Sequence, residues 1–116
     1  MKKKLSTCFY LTPMTSEFDN VFDHLKSKLC QKKKIEVVRL KETLFRSEVY
    51  WDAIKEEISC ASCIIADLTN NNPNVLIEVG VALNACKFLT LITQEKNYKA
   101  PSNISQLHIE TSEKVA

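Results

Sequence analysis

Apolar residues along this chain follow two alternating patterns, short continuous runs and longer stretches with helical spacing. Runs at 5–11, 35–40, 63–68 and 88–93 predict β-strands, and a weaker run at 107–110 predicts a fifth. Between the runs, apolar residues recur every three to four positions at 16–31, after Ser47, and from Asn72 to about Lys87. This spacing predicts three helices, with Ser16 and Asn72 as the capping residues of the first and third.

The order of these segments predicts the fold class. The sequence CIIADL at 63–68 is apolar on both faces, which is typical of a central parallel strand covered by helices. Strands that alternate with helices favour a doubly wound sheet with right-handed crossovers. We therefore expect residues 1–116 to form one three-layer, flavodoxin-like α/β domain that lacks a final helix. Its sheet should have about five strands in the order 2-1-3-4-5.

Composition excludes several classes of function. The net charge is +2, and the lysine clusters at 2–4 and 32–34 are not interleaved with the arginine or aromatic residues that nucleic-acid grooves use, so we expect no nucleic-acid partner. No segment approaches the roughly 20 apolar residues of a membrane span. Three lysines stand just before Cys8 without an apolar segment between, so 5–11 is better interpreted as a strand than as a lipoprotein signal. We expect a cytoplasmic protein.

The five cysteines, at 8, 30, 60, 63 and 86, are scattered and odd in number. In a small chain without a signal peptide, this indicates buried, reduced thiols of a cytosolic protein. Cys60 and Cys63 form a C-x-x-C motif, but there is no second cysteine pair, and the motif lies where a helix runs into a strand. We therefore expect structural thiols and no metal site.

Ligands of such sheets bind beyond the carboxyl ends of the strands, at the point where the strand order reverses. Here the segments 10–16 and 67–74 should meet at that point. The only glycine, Gly80, lies inside a predicted helix, so glycine-rich Rossmann and P-loop nucleotide sites are excluded and we expect no bound cofactor. The second loop is rich in turn-forming residues, but three consecutive asparagines at 70–72 exceed the needs of one turn and indicate a ligand site.

Glu78 is the most unusual residue of the third predicted helix. Val75, Leu76, Val79, Ala82, Leu83 and Cys86 share one apolar arc, and Ile77 and Val81 lie on the opposite side. Glu78 is thus the only charge before Lys87, at the flank of the core face. A carboxylate there should have a raised pKa, as acid, base and nucleophile roles require, although a glutamate reaching water at the helix edge is the structural alternative. The apolar surface of Ile77 and Val81 predicts a homodimer or higher homo-oligomer.

The sequence ADLTNNNPNVLIEVGVALNACK at 66–87 resembles the signature helix of nucleoside 2-deoxyribosyltransferase-like proteins and their bacterial TIR-like relatives. Those proteins typically have Asp-Leu-Thr, then Asn-Pro-Asn-Val, then an aromatic residue followed by Glu-Leu-Gly. Pro13-Met14 after the first strand and Ala100-Pro101 before the last also agree in order. The resemblance covers nearly the whole chain.

The resemblance implies cleavage or exchange of the N-glycosidic bond of a nucleoside or nucleotide, or TIR-like cleavage of NAD. By this resemblance the catalytic residues are Glu78, the nucleophile, and Asp67, which matches the acidic residue that closes the third strand. A second acid or amide must bind or protonate the departing base. A carboxylate can stabilise an oxocarbenium-like carbon as an ion pair or a covalent ester. The residues expected to contact substrate are Tyr10, Pro13, Met14, Thr69, Asn72 and Asn74. In a flavodoxin-like sheet, Tyr10 and Asp67 should end adjacent strands and face one cleft with Glu78.

The sequence departs from the family pattern around the glutamate. Ile77 replaces the aromatic residue that usually precedes the glutamate. Val81 and Leu83 replace the aromatic residue and the histidine that usually follow the glycine. These changes leave fewer polar groups at the site. They support a second hypothesis, a non-catalytic TIR-like nucleotide-binding or signalling module, for example in bacterial defence.

Overall fold

Five parallel strands form one sheet in the computed structural model, which describes residues 6–13, 16–39, 50–85 and 88–111. The strands are β1 (Ser6–Leu11), β2 (Ile35–Val38), β3 (Cys63–Asp67), β4 (Phe88–Thr93) and β5 (Ile109–Thr111). The helices are α1 (Asp19–Lys33), α2 (Tyr50–Cys60) and α3 (Pro73–Asn84). The order across the sheet is β2-β1-β3-β4-β5 and every neighbouring pair is parallel, which confirms the predicted flavodoxin-like topology.

Two predicted boundaries differ from the structure. The first helix was expected to begin at Ser16, but Ser16–Phe18 form one 3-10 turn and α1 begins at Asp19. Phe18 already has helical backbone angles, so the 3-10 turn continues into α1 and no side chain caps it. The last strand begins at Ile109, because residues 102–107 form turns in which the amide of Leu107 bonds to the carbonyl of Ile104. Ser47 lies outside the described residues.

The sheet has an apolar core on each face because successive side chains of a strand point in opposite directions. Phe9 and Leu11 of β1 belong to the core under α2 and α3, whereas Cys8 and Tyr10 belong to the core under α1. Ile64 of β3 faces the first core, which we call the α2/α3 face, and Ile65 faces the second, which we call the α1 face. β3 is therefore buried on both sides, as its sequence predicted.

The buried arc of α3 is narrower than its sequence predicted. Val75, Val79 and Ala82 are buried in the core, but Leu83, predicted to join them, is 45% exposed near the end of the helix. On the opposite side, Ile77 is 55% exposed, while Val81 is half-buried and packs against the same core. The prediction that the cysteines are buried is confirmed for Cys8 but is wrong for Cys30 and Cys60, which are exposed on α1 and α2, and Cys86 lies outside the described residues. Within the described segments, no helix has the length and apolar character needed to cross a membrane.

Candidate functional site

Tyr10 and Asp67 meet at the carboxyl ends of two neighbouring strands. Tyr10 is the second-last residue of β1 and Asp67 is the last residue of β3. The hydroxyl group of Tyr10 donates a hydrogen bond of 3.1 Å to Oδ2 of Asp67, and both side chains are buried. The two strands therefore bring together the pair that the sequence placed on adjacent strand ends.

The carboxylate of Asp67 accepts hydrogen bonds from four donors. Oδ1 accepts from the backbone N–H of Thr69 at 3.0 Å and from its hydroxyl at 2.5 Å. Oδ2 accepts from Tyr10 and from the side-chain amide of Gln94 at 3.0 Å. With two donors on each oxygen and no solvent exposure, Asp67 joins the ends of β1, β3 and β4. These contacts give Asp67 an organising role, and its predicted part in catalysis stays a prediction.

Tyr10 and Thr69 are also committed to contacts inside the protein. The ring of Tyr10 stacks on Phe22 of α1 with 6.0 Å between centroids, and burial, followed by the charge of Asp67, raises the pKa of its hydroxyl. The hydroxyl of Thr69 donates to Asp67 and accepts from the backbone N–H of Gln94 at 2.9 Å. Neither side chain offers an unused polar group to a ligand at the surface.

The consecutive asparagines that indicated a ligand site have structural tasks. Asn70 and Asn71 have positive φ angles of 63° and 48°, a left-handed conformation that asparagine tolerates better than most residues. The backbone N–H of Asn70 donates to the carboxylate of Glu95, and the side-chain amide of Asn71 donates to the carbonyl of Lys99, each at 3.2 Å. The loop after β3 is thus tied to the loop after β4.

Asn72 caps α3, as its sequence predicted. Its side-chain oxygen accepts hydrogen bonds from the backbone N–H groups of Asn74 at 2.9 Å and Val75 at 3.3 Å. Pro73 occupies the first position of the helix, where its missing N–H costs nothing. Asn74 is exposed, and so is Asn70, whose bond to Glu95 uses only its backbone N–H, so both side chains are accessible to a ligand.

Glu78 lies in the second turn of α3 and is only 5% exposed. Its Oε1 accepts a hydrogen bond from the hydroxyl of Tyr50, the first residue of α2. Burial raises the pKa of Glu78, and the hydrogen bond from Tyr50 opposes that rise. Burial and the nearby carboxylate raise the pKa of Tyr50, so the phenol remains the donor of this pair. Glu78 is therefore a nearly buried glutamate with a raised pKa at the flank of the core face, as its sequence predicted.

The side chains of Glu78 and Asp67 belong to opposite faces of the sheet. Glu78 lies on α3, whose apolar residues pack on the α2/α3 face, and it bonds to Tyr50 of α2. Asp67 follows Ile65 in the alternation of β3 and bonds to Tyr10, so it lies on the α1 face. We expected all three to face one cleft. That expectation is wrong for the side chains, although all three lie toward the carboxyl ends of the strands.

The remaining predicted contacts lie at the end of β1. Pro13 is half-buried just after that strand, and Met14 lies outside the described residues. In 6–13, 16–39, 50–85 and 88–111, no three histidine, cysteine or acidic side chains come together as metal ligands. Sequence reasoning missed Tyr50 and Gln94 as partners of the two acids. In the sequence, Tyr50 is one of the residues at apolar positions after Ser47 that predict the second helix, and this pattern concealed the task of its hydroxyl group.

No family model and no curated protein sequence matches the chain. Among 23 matching chains of solved structures is a 2-deoxyribosyltransferase from the psychrotolerant bacterium Bacillus psychrosaccharolyticus. It superposes with a TM-score of 0.70 at 14% sequence identity, over 95% of this chain and 90% of that chain. The two proteins share a fold along nearly their whole length, so the predicted relationship to 2-deoxyribosyltransferases is confirmed at the level of the fold.

Proposed function

We propose that this protein cleaves or exchanges the N-glycosidic bond of a nucleoside or nucleotide, with Glu78 as the nucleophile. The observation that carries the proposal is a nearly buried carboxylate near the carboxyl ends of the strands, with one oxygen held by Tyr50. The similar 2-deoxyribosyltransferase is known as a biocatalyst for the synthesis of antiviral and antitumoral nucleosides, which supports the same substrate class.

The reaction needs one free carboxylate oxygen. Because Oε1 of Glu78 is bonded to Tyr50, Oε2 is the atom that attacks the anomeric carbon of the sugar. A carbon–oxygen ester bond forms while the carbon–nitrogen bond breaks, and the electron pair of the broken bond goes to the departing base, which takes up a proton. Water then releases the free sugar, or the nitrogen of a second base displaces Glu78 and completes an exchange.

The burial of Glu78 favours this chemistry. In a partly desolvated site, a carboxylate attracts the positive charge that develops on the anomeric carbon more strongly than it would in water. The same burial raises the pKa of Glu78. Activity should therefore fall on the acidic side of the pH profile as the nucleophile becomes protonated.

We propose that the substrate contacts come from the start of α3 and the end of β1. Asn74 has an exposed side chain in the first turn of α3, where backbone N–H groups favour an oxygen or a phosphate. Pro13, half-buried just after β1, is proposed to line the other side. Tyr10, Thr69 and Asn72 act indirectly in this scheme, because their polar groups hold the loops in place.

One observation favours a second function, a TIR-like nucleotide-binding module without catalysis. Asp67 was the candidate for the second acid, which would protonate or bind the departing base, but it is fully buried and accepts four hydrogen bonds. Without another proton donor, the site would bind a nucleotide and leave its glycosidic bond intact.

Incubation with a panel of nucleosides, 2-deoxynucleosides, nucleotides and NAD, followed by chromatography of free base, separates these functions. Catalysis predicts base release that Glu78→Gln abolishes and that Glu56→Gln, a change at an exposed position of α2, leaves intact. Binding can be followed in the same samples by fluorescence of Trp51, the only tryptophan, whose ring packs edge-to-face on Tyr50. Fluorescence changes without base release would support the binding module. The absence of both base release and a fluorescence change would refute both functions.

A further inference from the structure

Tyr50 and Glu78 form a pair that links the first residue of α2 to the second turn of α3. In the described part of the chain, the phenol of Tyr50 is the hydrogen-bond donor to the Glu78 carboxylate, and it reaches Oε1. The ring of Tyr50 is half-buried, packs against the core of the α2/α3 face, and meets Trp51 edge-to-face with 5.7 Å between centroids. Packing against the core and against Trp51 therefore fixes the position of the ring that carries this hydroxyl group.

We propose that Tyr50 is the positioning residue of the reaction, because its hydroxyl group fixes one carboxylate oxygen of Glu78 and directs the other toward the sugar. This inference rests on the proposed function of Glu78. A carboxylate can rotate about its last side-chain bond, so an unheld glutamate would present either oxygen in a broad range of orientations. Holding one oxygen by a charge-assisted hydrogen bond removes that freedom before the substrate binds.

Tyr50 also counteracts the burial of Glu78. Desolvation favours the protonated acid, which cannot attack an anomeric carbon, whereas a hydrogen bond from the phenol favours the carboxylate. The pKa of Tyr50 is itself raised, so the phenol keeps its proton across the neutral pH range. One hydroxyl group therefore both orients the nucleophile and favours its ionised form.

The test compares Tyr50→Phe with Tyr98→Phe. Tyr98 is a matched control because it is also half-buried, packs against the same core, and donates its hydroxyl to a side-chain oxygen, that of Asn71. In Tyr50→Phe we expect kcat to fall about tenfold or more with little change in KM, since a hydrogen bond to a charged group is lost. The acidic limb of the pH profile should move to higher pH, and Tyr98→Phe should leave that limb in place.

A purely structural role of Tyr50 predicts a different result. Tyr50→Phe would then lower the melting temperature, as Tyr98→Phe would, but would leave the acidic limb unchanged, and this outcome would overturn the proposal. A carboxyl titration of Glu78 by NMR, assigned with Glu78→Gln, gives a second measurement that needs no turnover. If no substrate releases base, the nucleophile hypothesis fails, yet a titration that moves to higher pH in Tyr50→Phe would still support control of Glu78 by Tyr50. An unchanged titration would refute it.

Discussion

The hydroxyl group of Tyr10 and Oδ2 of Asp67, 3.1 Å apart, join the end of β1 to the end of β3 on the α1 face. The sequence placed these residues at adjacent strand ends as parts of one site with Glu78. In the structure, the pair lies on the α1 face and Glu78 lies on the α2/α3 face. Substitutions of the two acids should therefore have different effects on stability.

Asp67→Asn should lower the free energy of unfolding by about 3 kcal/mol. Each carboxylate oxygen accepts two hydrogen bonds, and an amide in its place would turn N–H groups toward two of those donors in a fully buried position. Urea denaturation measures the loss. The control is Asp52→Asn, an exposed position, which should change stability by no more than about 0.5 kcal/mol. Equal effects of the two changes would contradict the organising role of Asp67.

In contrast to Asp67→Asn, Glu78→Gln should raise the free energy of unfolding, by an amount that depends on pH. The folded state binds the Glu78 proton more tightly than the unfolded state, whose glutamate has a pKa of about 4.3. The contribution of Glu78 to the stability of the unaltered protein therefore falls as pH rises from about 4.3 through the raised pKa of Glu78. The glutamine variant lacks this fall, so its stability advantage should grow with pH. Denaturation at several pH values measures the difference. A variant destabilised most at neutral pH would contradict the prediction.

Substitutions at the start of α3 should separate structure from ligand binding. Asn72→Ala removes the side-chain acceptor of the helix cap and should cost about 1 kcal/mol of stability. Asn74→Ala keeps the cap and removes an exposed amide, so stability should change little while KM or the ligand dissociation constant rises. Thermal melts and Trp51 fluorescence titrations on both variants test this. If Asn74→Ala leaves binding unchanged, Asn74 is not a ligand contact.

Ile77 should contribute to self-association. Its side chain is 55% exposed on α3, and an exposed apolar residue of this size on a helix is compatible with an interface between copies. We expect light scattering at micromolar concentration to report a homodimer or higher oligomer, and Ile77→Lys to shift it toward monomer. Phe88→Lys is the control, because Phe88 is also exposed but lies at the first residue of β4. A monomeric unaltered protein would refute this prediction.

Lys34→Gly should stabilise the protein by about 0.5–1 kcal/mol. Lys34 ends α1 in the left-handed conformation with φ 54°, and its backbone N–H bonds to the carbonyl of Leu29. Glycine adopts this conformation without the steric cost that a side chain brings. Lys28→Gly, inside the same helix, should instead cost about 1 kcal/mol. Urea denaturation of both variants measures the contrast, and a destabilised Lys34→Gly would contradict the backbone argument.

The topology was predictable because local patterns determine it. Alternation of strands and helices, a central strand apolar on both faces, and an Asn-Pro helix start each depend on neighbouring residues, and all agree with the structure. The helix boundary near Ser16 was less predictable, because a 3-10 turn and an α-helix accept similar residues although they differ in hydrogen-bond pattern and in residues per turn.

The arrangement of the site was less predictable because it depends on contacts distant in sequence. The spacing predicted that Asp67 and Glu78 lie near the same edge of the sheet. The face on which the Asp67 side chain lies, however, depends on whether the alternation of β3 continues to the last residue of that strand. The bond from Tyr50 to Glu78 spans 28 positions, and its donor lies among apolar residues of α2. The asparagines at 70–72 resembled binding residues because left-handed turns, caps and ligand sites favour the same side chain.

The four hydrogen bonds to Asp67 have a consequence for hydrogen exchange. The backbone N–H of Thr69 bonds to Asp67, and that of Gln94 bonds to the Thr69 hydroxyl, so two loop amides are protected by buried acceptors. Opening either loop would break several of these hydrogen bonds together and would leave the Asp67 carboxylate without some of its donors. These amides should exchange at rates close to those of β3 and β4. By this measure the loops at this end of the sheet behave as one cooperative unit with the strands they follow.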